Sequence, residues 1–361
     1  MLYNRVMILT IFGYTKTGKT MLFNLLADKK EEISKFSAST NEFHKAIVNV
    51  PDDRLKQLAD LFKTPPVYAK IEYLDVGAIS FGEAKDTTFI DLLRRGDGLI
   101  HIVRGFEDCE ILHPKETIDP LRDIDNIEDE LRTVDFLSIE KRIEKLKNDM
   151  KKIKSKVMQD EFDIFSKMKD FIESGKSLRN MSFTVQEETI IRGFKLLSLK
   201  PIITIINTDE NNFKKYSMLN KKRDGNSLTL VFCGKIETEL LELEEEEREM
   251  FKNEYGLSEY EYIKSNFIRA SYDLMGLISF FTVGEDETRA WTIEKDSTAL
   301  IAAGKIHSDI QQGFIRAEII AWDEFLSSGS FSFAKEKGLL RLEGKEYIVK
   351  DGEIAHFRFN K

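Results

Sequence analysis

Residues 13–20 read GYTKTGKT, which fits G-x-x-x-x-G-K-[ST], the pattern that grips a phosphate tail. Each position answers a chemical need. Gly13 and Gly18 let the backbone wrap closely around phosphate oxygens. The N–H groups of Tyr14, Thr15, Lys16, Thr17 and onward to Met21 turn inward, and a helix starting near Lys19 adds the positive end of its dipole. Lys19 is the expected catalytic charge, bridging the β- and γ-phosphates, and Thr20 is expected to place its hydroxyl on Mg2+. Such a loop needs a second acidic group for the metal. Asp75, closing KIEYLD, fits that place through a metal-bound water. The plainer reading of Asp75 is a cap on the turn before Gly77.

A base-reading element should close a later strand, and IINTDE supplies Asn207 and Glu210. The guanine-reading form is N-K-x-D, whose carboxylate accepts from guanine N1–H and the exocyclic amine. Here Thr208 and Glu210 replace the lysine and the aspartate. Adenine has no hydrogen on N1 and no 2-amino group, so a carboxylate there has nothing to accept. ATP is therefore expected in preference to GTP. The small residues of Cys233, Gly234 and Lys235 place backbone N–H groups where they could meet the base edge, with Cys233 read as a buried, inert thiol rather than a reactive one.

The elements that must position these groups are legible as apolar runs. Val6–Phe12 leads into the loop, and Met21, Leu22, Leu25 and Leu26 fall on one helical face after it. KIEYLDVG, GLIHIVRG, PIITIINTDE and SLTLVFCGK each end in polar or glycine-containing sequence, as the ligand-facing ends of parallel strands should. The expected fold is a doubly wound α/β domain. From about Asp125 to Lys195 the strand signal vanishes. Ile139, Ile143, Leu146, Met150, Ile153 and Val157 alternate four and three apart, a heptad seam, and Phe162, Phe165, Met168 and Ile172 form a second. Two antiparallel helices would satisfy both. Glu140–Lys156 holds eight Lys or Arg against three acids, which is either a solvated face or an RNA-phosphate contact. The acidic run LELEEEEREM, Leu241–Met250, reads as an exposed helix without chemistry. After about Phe280 short β segments with turns at Glu-Gly and Asp-Gly suggest a small separate mixed domain. The expected boundaries are 1–124 and 196–279 for the two parts of the nucleotide domain, 125–195 for the helical insert and 280–361 for the last domain.

Composition excludes several classes. A formal net charge of -9 argues against uniform coating of nucleic acid and leaves only a local basic face. Two cysteines, Cys109 and Cys233, offer neither a disulfide framework nor a zinc cluster and suggest a reducing compartment. No apolar run approaches the roughly 18 residues of a membrane span. MLYNRVMILTIFG runs straight into the phosphate loop and reads as a buried strand rather than a signal. A cytoplasmic protein without a membrane partner is expected.

These elements, in this order, resemble the YchF family of Obg-like ATPases. The likeness is carried by LFNLL, VPDDRLKQLA, HIVRGFED, LLSLKPIITIIN and KIETELLELEEEER, and most strongly by IRASYDLMGLISFFTVGEDETRAWTI, AAGKIHSDIQQGFIRAEIIAWDEF and LRLEGKEYIVKDGEIAHFRFN. The resemblance implies a P-loop G domain, a coiled-coil insert and a TGS domain, the β-grasp module shared with threonyl-tRNA synthetases and stringent-response enzymes. It also implies slow ATP hydrolysis, weaker use of GTP, ribosome association, and an adenine preference that accompanies N-x-x-E, here Asn207 and Glu210. Three departures stand out. The family loop reads like G-x-P-N-V-G-K-S, so Lys16 takes the place of an asparagine that helps hold a monovalent cation in related potassium-dependent enzymes. Its ammonium either replaces that cation or points into solvent. The first switch, E-P-N-x-G-x-V-P in the family, is EFHKAIVN here, with His44 and Ala46 for Asn and Gly; His44 is either a donor near phosphate or a surface residue. The second switch, D-x-A-G-L-V-x-G-A, becomes DVGAISFGEA, which keeps Asp75 but reverses Gly77 and Ala78.

Two functional readings follow. In the first, Lys19 and the loop amides stabilise charge on the γ-phosphoryl while Mg2+ bridges phosphates and water attacks, with a role in translation or the stress response. In the second, nucleotide is an ordering ligand and the chain is a non-catalytic module docking to ribosome or tRNA through the basic insert and the TGS domain. A metabolic kinase would need an acceptor site and lid that the sequence does not display. In the last domain Arg289, Trp291, Lys305, His307 and Arg316 are RNA candidates, with Trp291 and Phe314 read rather as core.

Overall fold

The structure, a computed structural model, describes residues 6–27, 33–38, 41–77, 87–108, 113, 115–153, 155–254 and 263–360. Its strands in chain order are β1 (Met7–Phe12), β2 (Ile33–Ala38), β3 (Asn41–Asn49), β4 (Pro66–Val67), β5 (Lys70–Asp75), β6 (Gly98–Gly105), β7 (Ile202–Thr208), β8 (Lys222–Asp224), β9 (Ser227–Phe232), β10 (Leu277–Val283), β11 (Thr288–Glu294), β12 (Phe314–Ala321), β13 (Arg341–Glu343) and β14 (Glu353–Phe359). The helices used below are α1 (Lys19–Leu26), α2 (Asp53–Phe62), α3 (Thr87–Arg95), α4 (Pro120–Met150), α5 (Lys156–Glu173), α6 (Val185–Ile191), α7 (Glu210–Tyr216) and α8 (Gly234–Glu242). The chain forms two compact units, one of residues 8–46 and 73–263, the other of residues 1–7, 47–72 and 264–361.

The first unit is built on an eight-stranded sheet ordered β2-β3-β5-β1-β6-β7-β9-β8. Its centre is parallel, with Leu9 opposite Gly98, Leu99 opposite Ile202 and Ile202 opposite Ser227. β6 and β7 are buried along their whole length, which is why they read as unbroken apolar runs instead of alternating ones. The parallel order brings the carboxyl ends of β1, β6, β7 and β9 to one edge, where the loops after them can meet a ligand.

The first helix of the insert, α4, starts at Pro120. Asp119 caps α4 by accepting from the Arg122 N–H at 3.2 Å, and proline at the first helical position needs no partner for a missing N–H. α4 and α5 pack antiparallel around Ile139, Ile143, Leu146, Ile164, Phe165, Met168 and Ile172. Arg142 pairs with Glu161 at 2.7 Å and Lys169 with Glu140 at 2.8 Å, which fixes that register. The seam stops sooner than its sequence pattern does. α4 ends at Met150 and α5 starts at Lys156, and Ile153 and Val157 are 62% and 71% exposed, because the first helix stops before the heptad pattern does. At the base of the insert buried Asp135 accepts from the N–H groups of Leu197 (2.9 Å) and Ser198 (2.6 Å) and from the Ser198 hydroxyl (2.7 Å).

The second unit carries a six-stranded sheet ordered β13-β12-β14-β10-β11-β4. β4 comes from residues 47–72, a stretch that lies in sequence within 1–124. It pairs parallel to β11, and α2 follows it into this unit: Phe62 stacks on Phe325 at 5.4 Å, and Arg54 bonds both Asp52 and Asp351. Phe314 is buried core, and the half-buried Trp291 packs on that core while its indole N–H donates to Thr282 Oγ1 at 2.9 Å, as the core reading of both residues requires. Arg316 and His307 are exposed, Lys305 is half-buried, and Arg289 lies 5.0 Å over the Trp291 ring.

Candidate functional site

β1 delivers the chain into the loop, and the loop then bonds to itself. The Thr17 hydroxyl donates to the Tyr14 carbonyl at 3.1 Å, and Lys19 Nζ donates to the carbonyls of Gly13 (3.0 Å) and Tyr14 (2.7 Å). The Tyr14 ring leaves the loop and joins the core with Leu74, Phe89 and Leu131, so what Tyr14 contributes to the loop is backbone. Lys19 is buried, and burial pulls its pKa down to about 8 against the opposing attraction of Asp75. Asp75 ends β5 beside β1, where the Val76 N–H donates to Ile11 at 3.2 Å. Burial pushes its carboxyl up, while the Gly77 N–H (3.2 Å), Lys19 and His44 pull it back. The turn-capping contact allowed by the sequence is thus present, and it engages Oδ1 of a carboxylate that also faces the Lys19 charge. Thr15, Lys16 and Thr20 are exposed. Lys16 sits at φ +58°, in the left-handed region that an asparagine enters more readily than a lysine.

Asn207 locks this loop to the base-side loop. Its Nδ2 donates to the Thr17 carbonyl at 3.0 Å, and its Oδ1 accepts from the Gly234 N–H at 3.0 Å. Two glycines beside these bonds, Gly18 and Gly234, allow that approach. A Cβ on Gly18, whose φ is +99°, would stand 2.3 Å from Asn207 Nδ2, and one on Gly234 would stand 2.3 Å from Met21 Sδ. Met21 therefore flanks Cys233–Lys235. Cys233 is fully buried as the cap residue of α8, and burial raises its thiol, the inert state expected of it. Thr208 donates to the Phe232 carbonyl at 3.1 Å, inside the ladder. Glu210 opens α7 with its carboxylate 3.8 Å from Lys235 Nζ.

Two residues of this region escaped the sequence reading. His101 on β6 lies opposite Phe12 and stacks on it at 5.2 Å. It is buried, and burial together with the Lys19 charge lowers its pKa to about 3, so a neutral ring floors the loop. The only signal was a polar residue inside the run GLIHIVRG. Asp209 caps α7: burial acts to raise its carboxyl, but N–H donors from Glu107 (2.9 Å) and Asn212 (2.7 Å) hold it below the usual range. An aspartate just ahead of a helical turn was the signal there.

A family model described as a 50S ribosome-binding GTPase matches residues 8–158, and the C-terminal YchF-GTPase model, described as a protein of unknown function, matches residues 277–360. The ribosome-binding ATPase YchF of Bacillus subtilis is 39% identical over 364 residues, covering 97% of this chain and 98% of its own. The chain belongs to the YchF family. Rice Obg-like ATPase 1 is 32% identical over 362 residues, covering 97% of this chain and 91% of its own. Among solved structures, the Schizosaccharomyces pombe YchF GTPase superposes with a TM-score of 0.83 at 26% identity, covering 99% of both chains. The YchF fold, a G domain with a helical insert and a TGS-like C-terminal domain, is the fold of this chain. Within it the segment that resembles the first YchF switch is strand: Asn41 to Ala46 pair antiparallel with Ala38 to Ile33, Ala46 is fully buried, and half-buried His44 meets Phe23 at 6.1 Å. Of the second switch, Asp75–Gly77 are described and Ala78–Ala84 lie outside the described residues, as does Cys109. No helix among the described residues is long and apolar enough to cross a membrane.

Proposed function

We propose that this chain binds purine nucleoside triphosphate, hydrolyses ATP slowly with Mg2+ and GTP less well, and acts at the ribosome in the cytoplasm. The observation that carries the reading is the buried Lys19 ammonium, held on the carbonyls of Gly13 and Tyr14 and facing Asp75. Two carbonyls are weak compensation for a buried charge, and phosphate oxygens are strong compensation, so Lys19 would exchange one for the other. The loop amides from Gly13 to Met21 would hold the same phosphates, and Asn207 keeps the loop in register with Cys233–Lys235. Bound Mg2+ would supply charge neutralisation between the phosphates. Thr20 and Asp75 offer it oxygen donors, and an ion that keeps water and phosphate ligands needs no cluster of three protein ligands, of which the described residues contain none. The carboxylate of Glu210 faces Lys235 and carries the adenine preference: adenine lacks the donors that would draw it inward.

Ribosome contact is supported by relatives that are ribosome-binding ATPases, and ribosome or tRNA contact by the insert, where Lys141, Lys145, Lys147, Lys151, Lys152 and Lys156 are all exposed. The insert of 125–195 and the domain of 280–361 are the parts proposed to make it. Purified protein incubated with labelled ATP should release phosphate at a slow, Mg2+-dependent rate that Lys19→Ala abolishes, and should pellet with ribosomes in low salt. The regular strand pairing of the first switch favours a second reading, a non-catalytic nucleotide-ordered module. Tight ATP binding with no phosphate release beyond the Lys19→Ala background would select it.

A further inference from the structure

One surface of the nucleotide-binding unit runs against the charge of the whole chain and has no part in the site. Residues 211–226, NNFKKYSMLNKKRDGN, hold five cations and one carboxylate, a local charge of +4 in a chain of -9. They sit on two exposed elements joined by a short turn. Lys214 and Lys215 form the last turn of α7, and Lys222 and Arg223 lie on β8, the outermost strand of the eight-stranded sheet and exposed along its length. β8 is held by antiparallel pairing of Lys222 with Thr229 and of Arg223 with Leu228. Between helix and strand Met218 stands 83% exposed. The Lys215 ammonium lies 5.0 Å over the buried Tyr216 ring, which anchors that side chain at the surface.

Lys214, Lys215, Lys222 and Arg223 form no ion pair with a carboxylate among the described residues, whereas the insert spends Arg142 on Glu161 and Lys169 on Glu140. Unpaired like charges within one short stretch of chain repel, and a partner of opposite sign relieves that repulsion. Charges on an edge strand also guard against sheet-to-sheet aggregation. That accounts for Lys222 and Arg223 but not for the pair on α7. A lipid surface would require an apolar face beside the charge, and Met218 alone does not provide one. We infer that the α7–β8 surface binds the phosphodiester backbone of RNA, as a contact separate from the insert. The inference rests on the ribosome-bound reading and extends it to a surface of the nucleotide-binding unit.

The test uses full-length protein, a labelled RNA hairpin and purified ribosomes, with the variant Lys214→Glu/Lys215→Glu/Lys222→Glu. Four phosphate contacts predict that log affinity for the hairpin falls with log salt at a slope of about -3. The variant should flatten that slope by about one for each lysine and weaken binding about tenfold or more at low salt. Its melting temperature and ATP affinity should match the parent, which separates loss of contact from loss of fold. Hairpin binding that is unchanged in the variant overturns the inference. So does a parent that ignores the hairpin yet binds phosphatidylglycerol vesicles. If the parent pellets with ribosomes and the variant pellets equally, ribosome binding stands and this surface has no share in it. If the hairpin is bound through these lysines while the parent fails to pellet with ribosomes, the RNA contact stands and the ribosomal reading falls.

Discussion

Burial of Lys19 has a measurable consequence for nucleotide binding. Its pKa is lowered from the ordinary 10.5 to about 8, chiefly because the ammonium loses water beneath the loop. A triphosphate placed against it restores the charged form, so binding must draw a proton from solvent wherever the free protein has lost one. With a free-state pKa near 8, the uptake is about 0.1 proton at pH 7 and about half a proton at pH 8. Only the charged form binds well, so affinity should fall about tenfold from pH 7 to pH 9, or about 1.4 kcal/mol. Phosphate's own second ionisation, near pH 6, lies outside that window. Titration calorimetry at pH 8 in buffers of different ionisation enthalpy reads the uptake as the slope of observed heat against buffer heat. A zero slope, or an equal slope in Lys19→Ala if that variant still binds, would refute the reasoning. The sign for stability follows from the same shift. Between about pH 8 and 10.5 the unfolded chain holds the proton that the folded one has released, so the nucleotide-free protein gains stability as pH rises through that range.

Gly18→Ala places a methyl 2.3 Å from Asn207 Nδ2 at φ +99°, and chemical denaturation should show a loss of about 1–3 kcal/mol together with weakened ATP binding. Asn207→Ala leaves the buried Gly234 N–H without its acceptor and should cost about 1–3 kcal/mol, with nucleotide affinity falling further than the melting temperature alone explains. Lys16→Asn removes a lysine from φ +58° and should stabilise the protein by up to about 1 kcal/mol in thermal melts. If Lys16 stands in for a monovalent cation, parent turnover is the same in potassium and sodium and Lys16→Asn becomes potassium-stimulated; strong potassium stimulation of the parent removes that role.

Much of the molecule was legible because its signals are local. A phosphate loop is eight consecutive residues whose backbone needs are written in its glycines, and it sits between an apolar run and an amphipathic helix that no neighbour has to explain. The parallel sheet announced itself because strands buried on both faces cannot alternate. The insert's seam was readable as far as Leu146, since heptad spacing is a property of the helix itself. The end of that helix was not. Hydrophobic spacing persists through Ile153 and Val157 even though the chain has already turned away.

What tertiary structure decided are the pairings between distant residues. The Asn207–Thr17 bond spans 190 positions, and nothing near either residue announces the other. His101 became the floor of the loop only when β6 took its place beside β1. Residues 47–72 lie in sequence inside the nucleotide domain, yet β4 pairs with β11 and Arg54 with Asp351, because a strand edge and an exposed carboxylate were waiting there. Sequence by itself determined which local shapes and which chemistry this chain carries, since those depend on neighbours a few residues away. Tertiary structure determined which of those groups share one low-dielectric space, and so how strongly the Lys19 charge acts on Asp75 and His101, because such forces act through distance in space and not along the chain.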